Sequence, residues 1–384
     1  MTETADAVIV GGGVVGASAA YHLAAAGAGR VVLLERATAL GTGSTGACAG
    51  GFRLQFSSEV NVRLSLASVP MIVGFEEEHG IPLDVWRDGY LFLVRDEEAW
   101  GGFVAAAELQ RSLGVAVELI GTVDVGRLVP GLALDDVVGA TFCPDDGIAD
   151  PAGLTNGYAT LARRAGAELR TGVEVAAVQV GDGRVLGVRT SAGVVATRIV
   201  VNAAGPWAAE LARTAGVELP LEPVPRNVVV TGPFPGSPER RTLVIDSETS
   251  FYFHREGPGV LMGMGGRQER PSFETTPDDG FIAEELVPTA VRVFPALEEA
   301  GIERRWAGLY EMTPDHHPIV GEAQGVEGFL LANGFSGHGF QHAPVIGMLL
   351  AEIAVEGHAT TVDIAALGLE RFTTGDLVPE AHVV

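Results

Sequence analysis

Six residues near the start of the chain have the spacing that binds the diphosphate of a dinucleotide. They read Gly11-Gly12-Gly13-Val14-Val15-Gly16 and follow the apolar run Ala7–Val10. The first glycine allows a tight turn, Gly13 leaves room for a pyrophosphate, and Gly16 lets a helix lie close to the strand. Glu35, at the end of the next apolar run, is placed to accept hydrogen bonds from the hydroxyl groups of an adenosine ribose. The sequence therefore predicts a dinucleotide site at this turn.

Other reactive side chains are few. Lysine is absent, and all 25 basic residues are arginine, which excludes any mechanism that needs a Schiff-base or phosphate-loop lysine. Cys48 and Cys143 are too few for a disulfide framework and lack the spacing of a zinc or redox motif. His316, His317 and His338 have no carboxylate or cysteine at ligand spacing, so no metal site is predicted.

Charge and hydropathy restrict the expected partners. The 384 residues carry a formal net charge of −24, which repels nucleic acid and anionic membranes. The most apolar late stretch, residues 345–355, is too short to cross a bilayer and contains Glu352. We therefore expect neither a nucleic-acid nor a membrane partner. The polar N-terminus and the two cysteines predict a cytoplasmic location.

The elements that would position the glycine turn follow from the periodicity of the sequence. Ala7–Val10, a helix over residues 17–26 and a strand over residues 31–34 form a strand–helix–strand unit. Asp150 and Pro151 predict the start of a helix that ends near Gly166. Further predicted elements are a buried strand at residues 198–202, a helix that starts near Pro344, and antiparallel strands at residues 90–94, 115–120 and 137–142.

Four separated motifs point to a known family. They are the glycine turn with Glu35, the loop over residues 43–51 with Arg53 after it, the stretch Asn-Ala-Ala-Gly-Pro-Trp at residues 202–207, and the turn over residues 334–341 with the loop 313–321 before it. In this order they resemble the D-amino-acid oxidase and glycine oxidase superfamily of FAD-dependent oxidoreductases, nearest to the sarcosine oxidase (beta-subunit-like) branch. The resemblance spans nearly the full chain.

The resemblance implies the fold class and the domains. The expected fold is α/β (α+β overall), with a Rossmann-like FAD-binding domain and a second, antiparallel-sheet substrate domain. The FAD-binding domain would comprise residues 1–80, 144–216 and 307–384, and the substrate domain residues 81–143 and 217–306.

The resemblance also implies which residues contact FAD. The backbone of residues 337–340 would face flavin N1 and O2, where negative charge accumulates on reduction. The residues it assigns to the cofactor are Gly11, Gly13, Val14, Val15, Gly16, Glu35, Arg36, Ser44, Thr45, Ala49, Gly50, Val173, Ala204, Gly205, Trp207, Gly308, Gly337, His338, Gly339, Phe340 and Gln341.

Five residues are implied at the substrate: Arg53, Tyr252, His254, Tyr310 and Gln341. Arg53 matches an arginine that grips the substrate carboxylate, for which a planar guanidinium is suited; a surface arginine is the alternative. Tyr252 matches an aromatic wall of the substrate cavity, and for Tyr252 and His254 an ordinary strand residue is an equal alternative.

The sequence departs from the family at three of the positions implied for the cofactor or the substrate. Tyr310 stands where glycine-oxidase-like members have an arginine, which leaves Arg53 as the main candidate for a carboxylate. Gly308 stands where monomeric sarcosine oxidase has a flavin-linking cysteine, so we expect FAD to be bound without a covalent link. Gln341 stands where that enzyme has a carboxylate-binding lysine.

A further lysine of oxygen-reactive relatives falls near Leu261, whose side chain is apolar. Only an arginine such as Arg267 or a protonated His254 could replace its charge, and neither is at the matching place. We therefore expect slow reoxidation by oxygen compared with a dye or quinone acceptor.

The expected activity is oxidation of the carbon–nitrogen bond of a small amine or of an N-methyl or cyclic amino acid, by hydride transfer to flavin N5. The partners would be this small-molecule substrate and O2 or another electron acceptor, in a monomer or homo-oligomer. Two alternatives stay open: an FAD-dependent tailoring dehydrogenase for a larger substrate that is not an amino acid, and a flavin-stabilised assembly protein with little turnover.

Overall fold

The structure, a computed structural model, describes residues 3–266 and 270–382. Its central feature is a six-stranded sheet, in which five strands are parallel. The sixth strand, at one edge, is antiparallel to its neighbour. In spatial order the strands are Glu168–Thr171, Val31–Glu35, Ala7–Val10, Ile199–Asn202, Phe329–Asn333 and Ile319–Glu322.

Four helices pack beside this sheet and around one another: Val14–Ala25, Glu59–Val73, Pro151–Arg164 and Gly339–Glu356. The predicted cap of the third is confirmed, because the Asp150 carboxylate accepts hydrogen bonds from the N–H groups of Ala152 and Gly153, each at 2.9 Å.

The last of these helices begins five residues before the predicted start at Pro344. The proline lacks one backbone N–H, yet it lies inside the helix, as Pro70 does in Glu59–Val73. The helix Gly339–Glu356 is largely buried against Val14–Ala25, and this packing outweighs the single hydrogen bond that Pro344 cannot make.

The second large sheet has eight strands and is antiparallel except where Leu243–Asp246 meets Tyr90–Val94. Together with the parallel sheet it confirms the predicted fold class. The spatial order is Ile302–Met312, Glu222–Thr231, Gly259–Met264, Phe251–Glu256, Leu243–Asp246, Tyr90–Val94, Gly139–Cys143 and Glu118–Ile120. The strand Ile302–Met312 runs across the proposed domain boundary at residue 306. We keep the division into domains as a proposal.

Helices in the substrate-domain segments were not predicted from the sequence. They are Glu97–Ser112, Thr122–Leu128 and the continuous run of Asp279–Phe281, a π-helical turn Ile282–Leu286 and Val287–Val293. The sequence carries a start signal for the first of these helices, since Asp96 is a favourable N-cap residue and two acidic residues follow it. In the structure, Asp96 accepts a hydrogen bond from the N–H of Ala99 at 2.8 Å.

The remaining elements are short. A four-stranded sheet contains Glu3–Thr4, Gly193–Ala196, Arg184–Thr190 and Val175–Gly181, and a three-stranded sheet contains Gly51–Phe52, Gly147–Ala149 and Val85–Trp86. The other helical segments are Ser44–Ala47, Phe75–His79, Gly205–Trp207, Ala208–Thr214, Pro295–Glu299, Ala365–Leu367 and Arg371–Thr374. Within the described ranges, no helix combines the length and the apolar character needed to span a membrane.

Candidate active site and cofactor cavity

A cavity of about 870 Å³ lies between the two large sheets. This volume is in the upper part of the range for small-molecule sites. Most of the residues that the sequence assigned to a cofactor line it: Gly11, Gly13, Val14, Val15, Glu35, Arg36, Ser44, Thr45, Ala49, Val173, Ala204, Gly205, Trp207, Gly308, Gly337, Gly339 and Phe340. Four of them do not: Gly16, Gly50, His338 and Gln341.

The glycine turn at one end of the cavity has no room for side chains. Gly11 has a φ of +110°, and a Cβ there would lie 2.2 Å from the carbonyl oxygen of Ala203. A Cβ at Gly16 would lie 1.9 Å from the Gly11 carbonyl oxygen, so this glycine permits the close contact of helix and strand although it does not face the cavity. The turn therefore fits the close approach of a pyrophosphate to the backbone.

Glu35 is fixed beside the same turn. Its carboxylate accepts hydrogen bonds from the N–H groups of Gly12 and Ala37, both at 2.7 Å. A carboxylate has about four lone-pair directions, so these two bonds leave acceptor capacity for ribose hydroxyl groups. Nearby, the guanidinium of Arg36 lies 3.6 Å from the centre of the Trp207 ring, which in turn stacks on Phe273 at 5.5 Å.

The short helix Ser44–Ala47 connects the glycine turn to the second sheet. Thr45 Oγ1 accepts a hydrogen bond from the N–H of Val14 at 3.1 Å, and Ser44 Oγ donates one to the Leu309 carbonyl at 2.7 Å. A Cβ at Gly308 would lie 2.8 Å from the Cβ of Ala47. A side chain at position 308 would therefore push this segment away from the strand Ile302–Met312.

One face of the eight-stranded sheet closes the opposite end of the cavity. Arg226 pairs with Gly308 across two neighbouring strands, and Val224 pairs with Tyr310, so Arg226 and Tyr310 are diagonal neighbours on that face. The Arg226 guanidinium carbon lies 4.9 Å from the centre of the Tyr310 ring. Tyr252 also lines this end. Burial raises the pKa of Tyr252 and of Tyr310 and keeps both phenols neutral.

Arg226 was missed by sequence reasoning. It is buried and lines the cavity, in a strand whose next residues are Asn227 and three valines. Its position within an apolar strand could have identified it as a site residue, since arginine is seldom buried without a binding or pairing role.

Arg53 has a different environment. The structure buries it outside the cavity lining, with Nη1 donating to the Gln55 carbonyl at 2.6 Å and Nη2 donating to the His382 carbonyl. Nη2 also lies 3.3 Å from His338 Nε2, and the guanidinium lies over the Phe56 ring at 4.1 Å. The carbonyl of His382 thus accepts a hydrogen bond from the guanidinium that the resemblance assigned to a substrate carboxylate.

Gln341 and His254 also lie outside the cavity lining. The Gln341 side-chain amide pairs with the backbone of Arg53, accepting from its N–H and donating to its carbonyl, both at 3.0 Å. His254 is buried, and burial lowers its pKa, so its ring is neutral near pH 7. In the described part of the chain, no group of three or more His, Cys, Asp or Glu side chains could hold a metal ion.

Both the sequence and the fold of the chain are similar to those of known FAD-dependent oxidoreductases. The family described as "DAO: FAD dependent oxidoreductase" matches residues 6–353. Mouse sarcosine dehydrogenase (mitochondrial) is 31% identical over 97% of the chain, and the chain spans only 42% of that enzyme. L-proline dehydrogenase from P. horikoshii is 34% identical, with a TM-score of 0.91 over 98% of this chain and 100% of that one. Glycine oxidase from Geobacillus kaustophilus is 28% identical, with a TM-score of 0.85 over 96% of this chain and 99% of that one.

Proposed function

Because the chain belongs to the DAO family of FAD-dependent oxidoreductases and therefore takes FAD as its cofactor, we propose that it oxidises the carbon–nitrogen bond of a small amino acid or amine to an imine. The similar proteins support this proposal, since sarcosine, L-proline and glycine, the compounds in their names, are small amino acids. The residues at the sheet-covered end of the cavity support it independently.

The residues around the cavity fit FAD. The Gly11–Gly16 turn would receive the pyrophosphate, Glu35 the adenosine ribose, and the backbone at Gly337 and Gly339 the pyrimidine part of the flavin. When bound, FAD supplies the acceptor for the hydride that leaves the substrate carbon.

The burial of Arg226 in the cavity lining is the single observation on which the proposed substrate class rests. It is a buried guanidinium at the end of the cavity away from Glu35, beside two neutral phenols. A guanidinium can bind a carboxylate through two parallel hydrogen bonds, and such a bond is stronger in a site that excludes water. We therefore place the substrate carboxylate at Arg226 and the apolar part of the substrate against Tyr252 and Tyr310.

The protein's own contribution is to bind, orient and desolvate the amine. The neutral phenols of Tyr252 and Tyr310 can donate hydrogen bonds without a competing negative charge. No side chain is assigned as a proton shuttle, because hydride transfer from a neutral amine needs positioning more than acid–base catalysis. The imine product then hydrolyses in water after release.

The electron acceptor and the compartment belong to the same proposal. We expect a dye or quinone to accept electrons faster than O2, and we place the protein in the cytoplasm, where the free thiols of Cys48 and Cys143 would stay reduced.

Anaerobic bleaching of the flavin by a panel of N-methyl, cyclic and primary amino acids tests the proposal. Each amino acid is paired with the amine that lacks its carboxylate. We expect rapid bleaching by at least one small amino acid and much slower bleaching by its carboxylate-free partner. Bleaching only by large substrates would favour a tailoring dehydrogenase, and no bleaching by any compound would favour a flavin-stabilised assembly protein.

A further inference from the structure

A residue with a buried carboxyl oxygen lines the cofactor cavity and was not assigned by the sequence. Glu311 lies near the end of the strand Ile302–Met312, directly after Tyr310, and lines the cavity. Its Oε2 atom is buried and has no hydrogen-bond partner among the described residues. Ala332, Phe335 and Gly337 line the cavity beside it, in the strand and turn that lead into the helix Gly339–Glu356.

The surroundings of Glu311 disfavour its charged form. Burial raises its pKa to about 7, and hydrogen bonds from the backbone N–H groups of Gly334 and Phe335 oppose this shift. The pyrophosphate of FAD would bring further negative charge into the same cavity. A neutral carboxylic acid, in contrast, has one O–H to donate.

An unsatisfied polar atom in a buried site is costly, so native proteins rarely keep one without a ligand. Here Glu311 lines the cavity proposed for FAD, whose flavin and pyrophosphate carry several hydrogen-bond acceptor atoms. We propose that Glu311 is a cofactor-binding residue that carries a proton and donates it in a hydrogen bond to bound FAD. This inference rests on the proposed FAD site.

Three variants separate this role from a structural one. Glu311→Gln keeps a neutral donor of the same shape, Glu311→Leu removes it, and Glu210→Leu changes an exposed carboxylate that lines the same cavity. We expect Glu311→Leu to raise the FAD dissociation constant roughly tenfold, the amount for one neutral hydrogen bond. Glu311→Gln and Glu210→Leu should stay within about threefold of the wild type.

The thermal stability of the protein without and with FAD gives a second measurement. Glu311→Leu removes the unsatisfied Oε2 atom but also the acceptor for the N–H groups of Gly334 and Phe335, so the specific effect is a smaller rise of the melting temperature on addition of FAD than in the wild type. A purely structural carboxyl would instead lower the stability of the FAD-free and FAD-bound protein alike, with an unchanged dissociation constant. That result would overturn the inference.

Infrared difference spectra of the wild type decide the point even if the Leu variant does not fold. FAD binding should shift the carbonyl stretch of a protonated carboxyl, and this band should be absent in Glu311→Gln. Lack of any such band in the wild type would contradict a protonated Glu311. The substrate panel uses wild-type protein only, so a failure at Glu311 would leave the proposed activity standing.

Discussion

Arg226 and Arg53 are two buried arginines whose different surroundings lead to opposite expectations. Arg226 lines the cavity beside Tyr310, whereas Arg53 donates to the backbone of Gln55 and His382. Arg226→Gln should lower kcat/KM for an amino acid by about 2 kcal/mol, or roughly thirtyfold, because a charge-assisted pair is lost. Steady-state kinetics with an amino acid and its carboxylate-free amine measure this.

The matched control is Arg53→Gln. It should lower the melting temperature, since a buried residue loses hydrogen bonds to two backbone carbonyls, and it should leave the preference for the carboxylate unchanged. A selective loss of carboxylate substrates in Arg53→Gln, with none in Arg226→Gln, would return the anchoring role to Arg53.

The second prediction for single residues concerns oxygen. Leu261 is buried, and the neighbouring His254 is neutral near pH 7 because burial lowers its pKa. Arg267, the other candidate cation, lies outside the described residues. We expect stopped-flow mixing of the reduced enzyme with oxygen to show slower reoxidation than mixing with a quinone.

Arg226 is a cation that can alter this outcome, because it lines the cavity beside Tyr310. If reoxidation by oxygen is as fast as in a true oxidase, Arg226→Gln should slow it. Fast reoxidation that persists in Arg226→Gln would show that a positive side chain beside the flavin is not required here.

At the scale of elements, the crossing of two helices supports the cofactor site. The helix Gly339–Glu356 begins at the turn over residues 334–341 and packs on Val14–Ala25, which begins at the glycine turn. A Cβ at Gly347 would lie 2.2 Å from Ser18 Oγ and 2.8 Å from the backbone nitrogen of Ala19. Gly347→Ala should therefore force the helices apart and destabilise the protein by about 1–3 kcal/mol. Urea unfolding and the FAD content after purification measure the effect.

Gly101→Ala is the control for this substitution. Gly101 also lies inside a helix, Glu97–Ser112, but nothing lies within 4 Å of the position of its Cβ. The same change there should stabilise the protein by about 0.5–1 kcal/mol through helix propensity. Equal effects at both positions would show that the helix crossing is not tightly packed.

At the scale of the whole molecule, buried histidines make stability depend on pH. Burial lowers the pKa of His342 to about 3 and that of His382 to about 4, so the unfolded chain binds protons there that the folded protein does not. Their contribution to stability is lost as the pH falls below about 6.5, where the unfolded chain becomes protonated. His22, His254 and His338 act in the same direction.

Asp146 and Glu311 act in the opposite direction. Burial raises the pKa of each to about 7, so their contribution is present at low pH and is lost as the pH rises through 7. The five histidines outnumber these two carboxyl groups. We therefore expect the free energy of unfolding to fall when the pH is lowered from about 7 to about 5.5, as measured by urea denaturation.

Two histidine variants test the origin of this slope. His342→Gln should reduce the loss of stability on acidification, because it removes one buried group that the unfolded chain protonates. His358→Gln, at an exposed position, should leave the slope unchanged. A stability that rises on acidification would mean that the carboxyl groups dominate.

The sequence alone determined the cofactor end of the site. The turn at Gly11–Gly16, the following helix and Glu35 lie within one short strand–helix–strand unit, whose geometry is set by local periodicity and by glycine positions. The fold class and FAD followed from the same motifs together with the resemblance they carry. Gly11, Gly13, Val14, Val15 and Glu35, which were predicted from this unit, line the cavity, and their contact with FAD stays a prediction.

Only the tertiary structure decided the substrate end. Arg226 meets Tyr310 through the register of two strands that lie far apart in sequence, and a register shift of one residue would turn each side chain to the other face. Arg53 is bound by the carbonyl of His382, 329 residues away. The position of Glu311 at the cavity likewise depends on how the strand Ile302–Met312 packs beside the turn that follows Asn333. Such contacts depend on long-range packing and not on any local pattern, so residue type and spacing could not predict them.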